Sequence, residues 1–147
     1  LEDLQRKSPE LFFEALKAAA IQFLTWANTG SGGTSESRKP PIRFGVLRGS
    51  SSAFVNGQLV QVYPQSIKAG AEETPSPARS GAPKDVSTTW VWNTDYASKM
   101  HEWSGGWGKF TSQDGDAGNK WAEKHVDADK ELWLKVVTAE FKKRSGL

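Results

Sequence analysis

Residues 53–62 read Ala53-Phe54-Val55-Asn56-Gly57-Gln58-Leu59-Val60-Gln61-Val62, and the fold turns on them. Asn-Gly is the pair best suited to a two-residue hairpin turn, because both central residues must take positive φ. The apolar runs on either side then predict two antiparallel strands. With the turn setting the register, Val55 faces Gln58, Phe54 faces Leu59 and Ala53 faces Val60. Phe54, Leu59, Gln61 and Tyr63 would share one face; Ala53, Val55, Gln58, Val60 and Val62 would share the other. The second set is apolar except at Gln58 beside the turn, which makes it the expected core face.

Upstream, Ser8-Pro9-Glu10 supplies a helix cap, a proline at the first helical position and an acid in the first turn. Phe12, Leu16, Ala19, Phe23 and Trp26 follow at steps of four and three, drawing one apolar stripe that Asn28-Thr29-Gly30 ends. Downstream, Ser87–Thr94 has strand character, with Trp90 and Trp92 on one face and Val91 on the other. Asp95–Trp103 predicts a short helix carrying Tyr96, Met100 and Trp103 on one side. A last helix is expected from Asn119 to about Arg144. Its stripe is Ala122, Val126, Trp133, Val137 and Phe141, with Trp121, Leu132 and Val136 beside it. Helix, hairpin, strand, helix, helix makes an α+β fold: an N-terminal helix, a small antiparallel sheet with the Asn-Gly hairpin, and a C-terminal helix.

The chain's 147 residues fit one domain spanning 1–147. Flexible loops are expected near 30–40 (Gly/Ser-rich), 65–86 (Pro64, Pro75, Pro77 and Pro83) and 104–118 (Gly-rich). A loop as long as 65–86 is usually either functional or disordered.

The 19 Lys+Arg against 17 Asp+Glu leave a charge of +2, too small to argue for nucleic-acid binding. The chain has no Cys, which excludes a disulfide scaffold, thiolate metal sites and a cysteine nucleophile. No run approaches the ~20 apolar residues of a membrane span, and the first residues lack a signal-peptide layout. Of the seven Trp, all but Trp26 crowd into residues 90–133, which fits either a core filled with large rings or a surface expecting a partner.

Motifs for catalysis fail one by one. His101-Glu102 has no second His four residues after the first, and His125 stands apart, so neither suits zinc. Asp114-Gly115-Asp116 with Asn119 has the wrong register and closing residue for a calcium loop. Gly49-Ser50-Ser51-Ser52 is not a nucleophile elbow, and Gly30-Ser31-Gly32-Gly33 lacks the Lys of a phosphate loop. Glu72-Glu73 lies in a loop with nothing to hold a catalytic geometry. The expectation is no enzyme, no catalytic or metal residues and no cofactor.

Three segments carry a resemblance. Pro41-Ile-Arg-Phe-Gly-Val-Leu-Arg-Gly-Ser50 resembles the Pro-hydrophobic-x-x-Gly-x-Leu-Arg-x-Ser lead into the first strand of a tailed-bacteriophage family. That family contains neck and tail-completion proteins, often described as minor capsid or minor tail components. Asp95-Tyr96-Ala97-x-x-x-His101-Glu102 resembles its Tyr-Ala-x-x-x-His/Glu segment after the third strand. Lys120-Trp121-Ala122-Glu123 is similar to the Lys-Phe-Leu-Glu start of its C-terminal helix. The three fall in the family's order across about Ser8–Arg144. Phe44 stands where the family commonly has Thr, and Trp103-Ser104 precede the glycine that usually follows His-Glu sooner.

The resemblance implies a structural virion protein: a homo-oligomeric ring at the head–tail junction of a long-tailed phage. Its partners would be neighbouring connector, tail-terminator or tail-tube proteins. DNA would only pass through the channel, no membrane would be involved, and assembly would occur in the host bacterial cytoplasm. Gly45, Leu47, Arg48, Ser50, Tyr96, Ala97, His101, Glu102, Lys120 and Trp121 would be its structural motif residues. For Gly45 the expected role is a tight backbone leading into the strand, and for Leu47 an anchor of the first helix to the sheet. Arg48 either ties two elements by charge-assisted hydrogen bonds or is simply solvated. Tyr96 and His101, five residues apart, would point to different sides of their helix. Trp103 and Trp107, flanked by Ser and Gly, are the candidate subunit contacts, and loop 65–86 would reach an adjacent subunit or ring. The rival from another class is a monomeric ligand-binding module that stacks sugars or single-stranded nucleic acid on Trp90 and Trp92.

Overall fold

Ser8 breaks the N-terminal region into two helices. In the computed structural model, which describes residues 2–29, 40, 45–69, 71, 87–102 and 121–146 (for Glu2 and 122–129 the backbone alone), α1 spans Glu2–Lys7 and α2 spans Pro9–Thr29. The cap at Ser8 forms as its residue type predicts, its Oγ accepting from the Leu11 amide at 3.4 Å. The turn before it was not expected. Six residues are too few for a helix to stand alone in water, and α1 exists because Leu4 docks on the core.

Helix α2 buries Phe12, Leu16, Ala19 and Phe23 as its stripe predicts, together with Ala15, Ala20, Leu24 and Ala27. Trp26 departs from the expectation: it is only half-buried, and Ala27 takes the core position one residue on. Small side chains at 15, 19, 20 and 27 let the helix backbone approach the sheet closely.

The sheet has three antiparallel strands in the order β2-β1-β3: β1 is Ser51–Val55, β2 Gln58–Val62 and β3 Thr88–Trp92. All five residues of the central strand β1 are buried. The Asn-Gly turn forms as expected, with Asn56 at φ 51 and Gly57 at φ 79. Val55 pairs with Gln58 and Phe54 with Leu59, also as expected. The next pair does not follow: Ala53 meets Gln61, because a bulge in the ladder skips Val60. The bulge shifts the phase of the strand end. Tyr63 rather than Val62 therefore turns to the core, while Ala53, Val55 and Val60 keep the core face expected of them.

The described chain ends in two helices, α4 (Ala97–Glu102) and α5 (Trp121–Ser145), with a single turn, α3 (Val46–Gly49), before β1. Helix α5 lays Val137 and Phe141 on α2 and the sheet, with Trp133 and Val136 partly buried alongside; Leu132 is 37% exposed and stands off the stripe. Trp90 bridges the layers. Its ring lies 4.3 Å from Phe23 and edge-on to Trp133 at 6.0 Å, and its Nε1 donates to the Ala20 carbonyl at 2.9 Å.

Strands β2 and β3 flank β1 and run parallel to each other. Val62 lies at the Ser52 end of β1 and Thr88 at the Val55 end. The connection between them must therefore cross β1 and travel back along the sheet, which parallel strands always require. The length of segment 65–86 thus has a topological reason. Its arrival is pinned at the hairpin: the Asn56 amide donates to the Ser87 carbonyl (2.9 Å), and the Asn56 Oδ1 accepts from the Ser87 amide (3.0 Å).

Candidate functional site

Leu47, Ala97 and Trp121, one from each of the three motif segments, meet at one joint. Gly45 takes φ 95, a conformation that disfavours any side chain, and begins α3 rather than leading straight into the strand. A Cβ there would also stand 2.7 Å from the Ser66 carbonyl oxygen, so glycine is required twice over. The turn that follows is buried throughout. It aims Leu47 away from α2: Leu47 packs with Ala97 and Trp121, with Trp92, Tyr96 and Met100 around them. The expected anchor between Leu47 and the first helix is thus replaced by one to α4 and α5.

Arg48 points the other way and is 7% exposed. Its Nε and Nη2 both donate to the Pro40 carbonyl, at 2.9 and 2.7 Å. Of the two expectations for this residue, the tie between separate parts of the chain is the one that holds. Ser50 and Ser51 fasten the turn to the sheet. The Ser50 Oγ donates to the Leu47 carbonyl (2.7 Å) and accepts from the Asn93 amide (3.0 Å); the Ser51 Oγ donates to the Arg48 carbonyl (2.6 Å).

Sequence reasoning missed the centre of this arrangement, Asn28. Helix α2 does end at Asn28-Thr29 as the sequence predicts, and Asn28 is also fully buried there. Its Nδ2 donates to the Leu24 carbonyl (3.0 Å) and to the Ser51 Oγ (2.9 Å), and its Oδ1 accepts from the Trp92 indole (3.0 Å). One amide thus fixes α2, β1 and β3 against one another. The available signal was its spacing: Asn28 stands four residues after Leu24 and eight after Ala20, a polar residue on the apolar stripe.

Tyr96 and His101, expected on different sides of their helix, both reach the joint. Tyr96 lies in the turn before α4, so helical angular spacing does not govern it. The His101 ring meets Trp121 edge to face at 4.9 Å, and its Nδ1 lies 3.1 Å from the Glu102 carboxylate, which is exposed. Trp121 is 1% exposed and also meets Trp92 edge to face at 5.9 Å. Segment 103–120 therefore leaves and returns at points held together by the His101–Trp121 contact. Lys120, Trp103 and Trp107 lie outside the described residues.

Trp90 and Trp92 do not form a stacking platform. Their rings pack on Phe23, Trp133 and Trp121, and both indole nitrogens are spent on Ala20 and Asn28. Among the described residues no group of three His, Cys, Asp or Glu stands together as a metal site would need. No described helix is long and apolar enough to cross a membrane. An open groove of about 370 Å³ along α5 is lined, among the described residues, by Leu134, Lys135, Thr138, Ala139 and Lys142, a set with no acid–base or nucleophile pair.

Fold and joint together define an α+β protein in which a three-stranded antiparallel sheet is backed by two long helices and braced at one end by an aromatic and hydrogen-bonded joint. Comparison with protein-family models, curated proteins and solved structures finds no match for this chain.

Proposed function

We propose that this protein is a structural subunit of a ring at the head–tail junction of a long-tailed phage, a neck or tail-completion adaptor that joins the capsid connector to the tail around the DNA channel. The observation that carries the proposal is the meeting of Leu47, Ala97 and Trp121. These residues come from three segments far apart in sequence, the same three that resemble the phage family. Their meeting at one joint supports reading the three segments as one functional unit. The residues found there pack and hydrogen-bond, which suits a part that assembles without chemical turnover.

In this role Trp103 and Trp107 contact a neighbouring subunit. The partners are further copies of the chain and the connector, tail-terminator or tail-tube proteins beside it, with DNA only passing through. Cryo-electron microscopy of the particle tests the proposal, with a ring of this chain between head and tail as the expected result. Mass measurement of the protein alone and with purified tails gives the opposing outcome: a stable monomer that ignores tails and binds oligosaccharide or single-stranded DNA would overturn it. Replacing Trp103 and Trp107 together by Ala should weaken assembly more than folding.

A further inference from the structure

We propose that the outward face of α5 is a docking surface for an acidic amphipathic helix of a partner protein. The proposal stands independently of the phage reading. Leu132, Lys135, Ala139 and Lys142 follow at steps of three, four and three, which places them on one stripe of α5. All four are exposed, Leu132 at 37%, and they lie opposite Val137 and Phe141, the residues α5 gives to the core. The open groove of about 370 Å³ runs along this side, lined by Leu134, Lys135, Thr138, Ala139 and Lys142. Leu134 and Ala139 give it an apolar floor. The two lysines stand two helical turns apart, ~10.5 Å along the axis.

The charge on this face is uncompensated. Other cations on the helices pair with an acid of their own helix: Arg6 with Asp3, Lys17 with Glu14, and Arg144 with Glu140. Among the described residues, Lys135 and Lys142 make no ion pair, and neither do Lys130 and Lys143 near them. Glu131 stands four residues before Lys135, the favourable order for a helical pair, yet the two do not meet.

Lysines scattered over a surface need no partner. These two border an exposed groove, and the groove selects the class of partner. A phosphate backbone would neutralise the lysines but leave Leu132, Leu134 and Ala139 in water, and the chain's charge of +2 is small for nucleic acid. A helix with carboxylates seven residues apart meets both lysines at once. Its apolar face then covers Leu132 and Leu134, and the small Ala139 side chain lets the two backbones approach, as in other helix-in-groove contacts. The α5 of a second copy would set lysine against lysine, and the Asp3 and Glu14 carboxylates of its α1 and α2 are engaged by Arg6 and Lys17. Charge complementarity therefore points to a different chain.

The test uses the full chain and a stapled helical peptide of Leu, Ala and Glu with its glutamates seven residues apart, followed by fluorescence anisotropy. The peptide should bind, and added salt should weaken it. Lys135→Glu together with Lys142→Glu should lower the affinity by about tenfold or more. Urea titrations of that variant should stay unchanged, because both side chains are exposed. Ala139→Arg separates groove from charge: it adds a cation but fills the floor, so a seated helix is lost, whereas purely ionic attraction would tighten. The proposal is overturned if the stapled helix does not bind, or if either variant leaves its affinity unchanged or raised. It is equally overturned if unstructured polyglutamate or a DNA duplex binds as tightly as the helix.

Discussion

The body of the protein and the joint at its end are held by different means. In the body, Leu16, Ala19, Val55, Val137 and Phe141 interlock with almost no polar atom among them, and stability comes from apolar area removed from water. At the joint, Leu47, Ala97 and Trp121 form a small cluster whose positions are set by hydrogen bonds around it: Arg48 to Pro40, Ser50 to Leu47 and Asn93, and Asn28 to Ser51 and Trp92. The body tolerates some exchange among apolar residues, because burial is non-directional. The joint does not, because a hydrogen bond needs a particular atom at a particular place. Asn28 couples the two, being carried on a body helix and spent on the joint.

Mutations separate the two regimes. Leu16→Ala should have the largest effect, about 2–5 kcal/mol, through lost burial and the cavity left behind. Urea denaturation followed by far-UV and tryptophan signals should show both falling together; a loss below about 1 kcal/mol would mean that the body is not the main source of stability. Asn28→Ala comes next, at about 2–4 kcal/mol, since it strands the Trp92 indole and removes one of the two partners of the Ser51 hydroxyl. Its signature is local: tryptophan fluorescence near the joint should change before the helical signal does. Coincident transitions would show that joint and body unfold as one unit, merging the two sides of the comparison. Arg48→Lys should be smallest, at about 1–2 kcal/mol, because an ammonium keeps the charge but cannot place two donors on the Pro40 carbonyl as the planar guanidinium does. Hydrogen exchange should then rise at Val46–Gly49 and stay unchanged in α2; a spread into α2 would extend the role of Arg48 beyond the joint.

Much of the body was legible because its signals are local. The Asn56-Gly57 turn, the Ser8 cap and the stripes of α2 and α5 each depend on residues within a few positions of one another. The bulge at Val60 was not legible. It follows from fitting Tyr63 and Val60 into the same core as α2, and no turn residue marks it. Trp26 failed for a related reason: a stripe drawn at steps of three and four drifts around a long helix, and the surrounding packing decides which edge stays covered. At the joint, Leu47, Arg48, Ala97 and Trp121 stand in the segments that carry the resemblance, while the partners each would take were not legible. Leu47 chose α4 and α5 over the first helix, and Tyr96 escaped the helical spacing assigned to it.

By itself, then, the sequence determined the α+β class, the hairpin with its first two pairs, and the sharing of one strand face by Trp90 and Trp92. Periodicity, capping and turn chemistry act over a few residues and are written directly into the chain. Only the tertiary structure decided that β1 is central, that the connection from β2 to β3 must recross it, and that Asn28, at the helix end the sequence marks, is also a buried hub. Those features depend on which distant groups share one interior, where every polar atom needs a partner and every apolar face a cover.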